Sequence, residues 1–213
     1  MTTSQILRPK VVSNSYGTNE FFYESQYDWH FKKPGVMFLF ASGDSGYGTG
    51  YPAASPYVTA VGGTSLAVDA NGARTGETVW SGAGSGCSRY ESKPSWQKDT
   101  SCRRRMIADT AAVADPNTGA AVYSSVPYSG SSGWFVVGGT SLATPIVAGV
   151  YALAGGATGT GASQLYAKAK AGTTVTDITA GANGNCYPLY LCHGTVGYDG
   201  PTGVGVPLTS AAY

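Results

Sequence analysis

At 213 residues the chain is long enough for one domain with a sizeable core, and 31 glycines against only 12% charged residues point to a loop-rich, tightly packed globule rather than disorder. Thirteen basic and 12 acidic groups leave a net charge of +1, so there is no electrostatic footprint for nucleic acid or for an anionic membrane. No apolar run reaches membrane-spanning length, and the one basic cluster, Arg103-Arg104-Arg105, is short enough to be a solvated loop.

Residues 10–15 read as a strand that ends in a polar turn at Tyr16-Gly17. Residues 19–33 are expected to form an amphipathic helix stopped by Pro34-Gly35, with Glu24 and Asp28 one turn apart on a solvated face. Residues 36–41 are continuously apolar, as in a strand buried on both faces of a parallel sheet. That strand runs into Ser42-Gly43-Asp44-Ser45-Gly46, a loop at a strand's carboxyl end, where open α/β sheets place their sites. A Pro-rich connector, residues 51–56, leads to a strand over 57–61. Another strand over 66–68 comes next, with a turn at Asn71-Gly72. Residues 78–118 read as irregular, anchored by Trp80, Trp96 and a cysteine pair. Residues 120–123 and 133–137 form a hairpin, residues 163–171 a short helix, and the tail over 176–207 is mostly loop. Helices interleaved with strands suggest a layered α/β fold.

The hairpin feeds Gly138-Gly139-Thr140-Ser141-Leu142-Ala143-Thr144-Pro145 and an apolar run over 146–154. Small residues permit a sharp turn and place Ser141 at the start of the following helix, beside unsatisfied N–H groups and the positive end of the helix dipole. Such a position favours a nucleophilic hydroxyl and the oxyanion formed when it attacks a carbonyl. The plainer role for a Gly-Thr-Ser is a simple helix cap. Pro145 is expected in the first turn, and the helix, apolar on every face, inside a core. The chain contains its own control: Gly62-Gly63-Thr64-Ser65-Leu66 repeats the pentapeptide between strands, so Ser65 is expected to be structural.

The four cysteines fall into two close pairs, Cys87/Cys102 and Cys186/Cys192. Three pairings are possible and the sequence-neighbour one is expected; a zinc site lacks both the Cys-x2-Cys spacing and a set of histidines. Closing a loop of about 15 residues contributes about 3 kcal/mol in the chain-entropy picture. Disulfides imply export, yet Met1-Thr2-Thr3-Ser4 has neither a basic nor an apolar leader. The chain is therefore expected to begin at a boundary inside a longer secreted precursor.

Seven blocks in one order carry a resemblance. They are Val11-Val12-Ser13-Asn14-Ser15-Tyr16-Gly17, Ser42 to Gly46, Tyr51-Pro52-Ala53-Ala54-Ser55-Pro56-Tyr57, Pro94-Ser95-Trp96-Gln97, Ala114-Asp115-Pro116-Asn117-Thr118-Gly119, Gly138 to Pro145 and Gly197-Tyr198-Asp199-Gly200-Pro201-Thr202-Gly203. Together they resemble the sedolisin, or serine-carboxyl, peptidases, relatives of subtilisin that work in acid, and look most like secreted actinobacterial-type members. The resemblance implies a subtilisin-like three-layer α/β fold with a mostly parallel sheet, its N-terminal part missing. Residues 1–213 would be one partial peptidase domain, with a calcium-binding tail over 173–207. Ser141 would be the nucleophile, supported by Gly139 and Thr140, and Asp44 the oxyanion-site aspartate, whose protonated carboxyl can donate a hydrogen bond. Calcium would be held by the carboxylates of Asp177 and Asp199 with carbonyls of Ile178, Thr195 and Gly197; Thr195 stands where the family usually has glycine.

The family's base and orienter, a Glu and an Asp four residues apart, belong to a helix upstream of the segment matching residues 11–17, and this chain is expected to lack them. Glu24 and Asp28 copy the spacing at the wrong place, and His30 and His193 are not candidates for the base. The expected protein is thus an extracellular endopeptidase acting on protein or peptide, inactive as this segment alone. Its expected partners are the absent N-terminal part or propeptide, and a second copy across the exposed strand edge. The alternatives are a pseudo-protease that holds peptide without cutting it, and a serine hydrolase of another type in which an acid such as Glu24 activates Ser141.

Overall fold

The computed structural model describes Leu7 and residues 9–156 and 161–213. Its centre is a sheet of five strands: β1 (Val11–Asn14), β3 (Met37–Ala41), β5 (Thr59–Val68), β6 (Arg74–Val79) and β9 (Thr110–Val113). β1 pairs with β3, β3 with β5 and β5 with β9, all parallel, while β6 runs antiparallel to β5. Val61 is opposite both Ala41 and Thr110, so β3 and β9 flank β5 on its two sides. Outside this sheet lie the short pairs β2 (Thr18–Asn19) with β4 (Gly50–Tyr51), and β7 (Gly86–Ser92) with β8 (Arg104–Ile107). The hairpin β10 (Ala120–Tyr128) and β11 (Ser131–Val137) leads into helix α1 (Thr140–Leu153). Helix α2 (Ser163–Lys168) and the pair β12 (Val175–Thr176) and β13 (Val206–Pro207) complete the chain.

Strand β3 shows why the apolar run was legible. Its alternate residues point to opposite faces, and both faces are covered. Met37 and Leu39 join Val61, Ala112, Ala143, Val147 and Tyr151 under α1, whereas Phe38 and Phe40 join Phe31, Tyr51, Val58 and Ile107 on the other side. At about 25 cal/mol per Å² of buried apolar surface, each large side chain here contributes roughly 1.5–3 kcal/mol.

Four sequence expectations change. The helix over 19–33 is instead a 3-10 turn over Glu24–His30, preceded by β2. The pattern is inverted: Phe22, Tyr23, Tyr27 and Trp29 are exposed, while Glu24 and Asp28 are buried. A regular helix would have put those acids in solvent. Residues 59–61 of the first expected strand and 66–68 of the second belong to one continuous strand, β5, because Gly62 and Gly63 are extended rather than turned, while 57 and 58 precede it. A Cβ at Gly62 would stand 2.0 Å from the Pro201 carbonyl oxygen, so the strand needs glycine to accept its neighbour. Within residues 78–118 lie β7, β8 and β9, the first two short and held by the Cys87–Cys102 bridge. Finally, α1 is not enclosed. Ala143, Val147 and Tyr151 face the sheet, but Pro145, Ile146, Gly149 and Leu153 are exposed.

Both cysteine pairs are bridged, Cys87–Cys102 and Cys186–Cys192, with Cα separations of 5.6 and 5.9 Å. A buried ion pair fixes the start of β9: Arg105 Nη1 and Nη2 donate to Asp109 Oδ1 and Oδ2 at 2.7 and 2.5 Å, and neither side chain is exposed. Asp109 Oδ2 also accepts the Ala60 N–H at 2.8 Å, tying the pair to β5. Removing one partner strands the other charge in the core. Asp109→Ala should therefore cost about 3–5 kcal/mol of unfolding free energy. Urea denaturation measures this, and a loss below about 1 kcal/mol would show that Arg105 finds another route to solvent.

Candidate active site

The parallel strands β1, β3 and β9 end on one side of the molecule, and the segments leaving those three ends build the site. After β3 comes Ser42-Gly43-Asp44, after β1 comes Ser15-Tyr16-Gly17, and after β9 comes Ala114, whose carbonyl accepts the Gly139 N–H at 2.5 Å. The segments after β3 and β1 and the first turn of α1 line a cleft of about 330 Å³ that includes Ser15, Tyr16, Gly43, Asp44, Thr140 and Ser141. Ser141 is exposed at its rim.

Asp44 and Thr140 lock the loop to the helix. Asp44 Oδ1 accepts the Thr140 backbone N–H at 2.7 Å and the Thr140 hydroxyl at 2.8 Å, and the Gly43 N–H donates to Thr140 Oγ1 at 3.1 Å. A carboxylate on the first N–H groups of α1 is the favoured partner of a helix N-terminus. Gly139 makes the approach possible: its φ is +89°, and a Cβ would stand 2.7 Å from Asp44 Oδ2. Asp44 Oδ2 is therefore the oxygen left over by the Thr140 bonds.

Pro145 lies deeper in the helix than the first turn expected for it. As the sixth residue of α1 it has no N–H to give the Ser141 carbonyl one turn back, which leaves that oxygen without its helical partner. The Ser15 hydroxyl reaches it at 3.5 Å. Ser15 belongs to the strand-end motif, but nothing in its sequence marks this contact.

The pentapeptide over residues 62–66 behaves as expected of a structural copy. Ser65 donates to Asp115 Oδ2 at 2.6 Å, and that bond is the main reason the Asp115 carboxyl sits below the usual carboxylate range. Among the described residues no carboxylate or imidazole is hydrogen-bonded to the Ser141 hydroxyl. His30 stacks on Trp29 with ring centroids 3.7 Å apart, and His193, though followed by Gly194-Thr195, pairs with Ala182 in the tail. Glu24 and Asp28 were expected on a solvated face; at 0% and 4% exposure they are instead interior groups, joined by Glu91 from β7.

In the tail, Asp177 Oδ2 accepts the Gly197 N–H at 2.8 Å, while Asp199 Oδ2 accepts the Thr195 N–H at 3.0 Å. Asp199 Oδ1 takes the Thr202 N–H and hydroxyl at 2.9 and 2.8 Å. Asp199 is completely buried, and burial pushes its carboxyl up to about 7, with the Asp177 charge adding to the effect. The Asp177 charge acts on Asp199, so a cation bound here would meet two carboxyl groups. Among the described residues no cluster of three or more His, Cys, Asp or Glu side chains could hold a metal, so carbonyls would have to supply the remaining ligands.

The subtilase family model matches residues 4–184. The chain is 36% identical over 202 residues to sedolisin of Pseudomonas sp. (strain 101), covering 80% of this chain and 33% of that protein. It is 34% identical over 202 residues to kumamolisin of Bacillus sp. (strain MN-32), covering 82% of this chain and 35% of that protein. The chain is a subtilase of the sedolisin branch. The solved structure of Pseudomonas sedolisin in complex with two molecules of pseudo-iodotyrostatin superposes with a TM-score of 0.78 at 30% identity. It covers 99% of this chain and 65% of that one. This subtilase segment thus spans about a third of the length of the curated sedolisins it matches, and its fold is the subtilisin-like α/β fold with a mostly parallel sheet.

The contact between Asp44 and Gly139 yields a direct test. Gly139→Ala forces a left-handed backbone on alanine and drives a methyl group into the Asp44 carboxyl. A loss of about 1–3 kcal/mol in urea unfolding is expected. An unchanged midpoint would mean that Asp44 is not held against the helix start.

Proposed function

We propose that this segment carries the nucleophile and oxyanion site of a secreted serine-carboxyl endopeptidase that works in acid. The observation that carries the reading is the placement of Ser141 in the first turn of α1, beside a carboxyl held by Thr140, at the mouth of a cleft. In attack, the Ser141 hydroxyl adds to a peptide carbonyl and the developing oxyanion lies toward the helix N-terminus. Asp44 Oδ1 is engaged with Thr140, so Oδ2 is the oxygen through which the carboxyl would act on the oxyanion. Tyr16 and Gly17 also line the cleft, where a bound peptide would pass.

The Ser141 hydroxyl still needs a group to take its proton. In the family that task falls to a Glu/Asp pair on another helix, so the segment expressed by itself should show negligible peptidase activity. By comparison with triad deletions the loss is about 10³- to 10⁶-fold. The natural full-length product should cleave denatured protein in acid, and Ser141→Ala should abolish that cleavage. Robust cleavage by the segment alone, abolished by the same substitution, would refute this division of labour and bring Glu24 and Asp28 forward as the base. Tight peptide binding by a full-length product that never cleaves would favour the pseudo-protease.

Asp177 and Asp199, with carbonyls of Ile178, Thr195 and Gly197, would hold calcium, whose contribution here is to the fold rather than to the reaction. An ion that binds only the native loop raises the melting temperature, and chelator should lower it. Asp199→Ala should remove that sensitivity; identical melting curves with and without chelator would reject the site.

β1 hydrogen-bonds to β3 on one side, and among the described residues no strand pairs its other side. An unpaired edge beside the exposed apolar face of α1 invites association. The isolated segment should run as a dimer or larger in size-exclusion with light scattering. A stable monomer of 21.8 kDa at high concentration would show that the edge is covered.

A further inference from the structure

The basic run Arg103-Arg104-Arg105 is divided by the fold. Arg105 is spent inside the protein on Asp109, but Arg104 is exposed. Its Nη1 donates to the Tyr90 carbonyl at 2.8 Å, and Arg89, the neighbour of Tyr90 on β7, is exposed as well. The Tyr90 and Phe22 ring centroids are 6.1 Å apart, and those of Phe22 and Tyr23 are 5.0 Å apart. Residues three apart eclipse in a 3-10 helix, so Tyr23 at the N-cap, Gln26 and Trp29 fall along one edge of the turn over Glu24–His30. Beyond the end of that edge Lys33 Nζ stands 5.7 Å from the centre of the Trp29 ring. Phe22, Tyr23 and Trp29, at 71%, 60% and 57% exposure, thus form a band of protruding rings. Lys33 stands at one end of it, Arg89 and Arg104 at the other.

The acids of the same segments are turned away from this band. Glu24, Asp28 and Glu91 are buried. Glu20 accepts the hydroxyls of Thr49 and Ser88, together with the Arg89 N–H at 3.2 Å. Among the described residues no carboxylate forms an ion pair with Lys33, Arg89 or Arg104. Ser25 and Gln26, exposed beside the rings, are neutral. Composition showed no footprint for an anionic membrane because the balance of the whole chain hides this local one: Arg89 and Arg104 are far in sequence from the turn they join. Rings that protrude beside cations suit a partner that yields to their shape. A lipid interface does so, taking aromatic rings at headgroup level and meeting cationic side chains with phosphate.

We propose that this band is a peripheral membrane-binding surface, with Phe22, Tyr23 and Trp29 seated in the bilayer interface and Lys33, Arg89 and Arg104 on the phosphates of anionic lipid. The surface goes beyond the peptidase reading and requires nothing of Ser141, since none of these six residues lines the cleft. Its affinity has two parts. Seating the rings buries apolar surface and is insensitive to salt, whereas the cations act through a charge attraction that salt screens. A soluble polyanion would draw on the second part alone.

Co-sedimentation of the full-length product with vesicles of equal parts phosphatidylglycerol and phosphatidylcholine tests the proposal. The wild type should sediment with these vesicles and much less with pure phosphatidylcholine. The double variant Phe22→Ser/Trp29→Ser should weaken binding at least about tenfold, and Lys33→Gln and Arg89→Gln about fivefold each. Wild-type protein that stays in the supernatant would overturn the proposal. Equal sedimentation of the wild type and the ring variant would overturn it too, because charge alone would then be read. So would soluble polyphosphate or polyglutamate binding as tightly as the vesicles at matched charge, which would make the partner a free polyanion or an acidic polypeptide. Should the ring variant fail to fold, quenching of tryptophan fluorescence by brominated phosphatidylcholine in the mixed vesicles decides. Quenching that is lost in Trp29→Phe supports the surface, and equal quenching in both proteins, or none, refutes it.

Discussion

The hydrogen bonds from the Thr140 N–H and hydroxyl to Asp44 are the constraint on which the site depends. They join the loop after β3 to the first turn of α1, two segments almost a hundred residues apart in sequence. Without them the helix start would have to find its partner in water, and Ser141 would stand on a frayed end. With them, the Ser141 hydroxyl, the helix N-terminus and a carboxyl oxygen are held around one opening. The rest of the sheet serves this geometry: β1, β3 and β9 deliver their carboxyl ends to the same side, and Ala114 receives Gly139 from beneath.

The two copies of Gly-Gly-Thr-Ser-Leu show how little a motif says without its setting. In the first, both glycines are extended inside β5, and Pro201 beside Gly62 and Ala114 beside Gly63 leave no room for a side chain. Ser65 there is bound to Asp115. In the second, Gly139 takes a positive φ and Ser141 begins a helix. The apolar run after the second copy was the legible difference, since it announces a helix that the first copy lacks.

Much of the central sheet was legible for the same physical reason. A strand with both faces covered needs no alternation, and residues 37–40 have none. What escaped reading was structure specified by distant partners. Glu24 and Asp28 look like the wet side of a helix until Glu91 and Tyr51 are brought over them. β7 and β8 carry no apolar rhythm, because Met106 and Ile107 are their only large buried apolar side chains, and a disulfide and mutual pairing also hold them. The outer side of α1 read as interior because its residues are apolar, but composition cannot say how many faces of a helix are covered. The Ser15 contact with the Ser141 carbonyl is a consequence of Pro145 once the helix boundary is known, and the apolar run alone places that boundary too late in the chain.

The central claim is that Ser141 and Asp44 act on one reacting carbonyl. A crystal structure of the natural full-length product with a peptide aldehyde tests it most directly, because an aldehyde captures an activated serine as a hemiacetal. The account predicts a covalent bond from Ser141 Oγ to the aldehyde carbon, with the new oxygen hydrogen-bonded to Asp44. An adduct on another residue, or an oxygen turned away from Asp44, would contradict it.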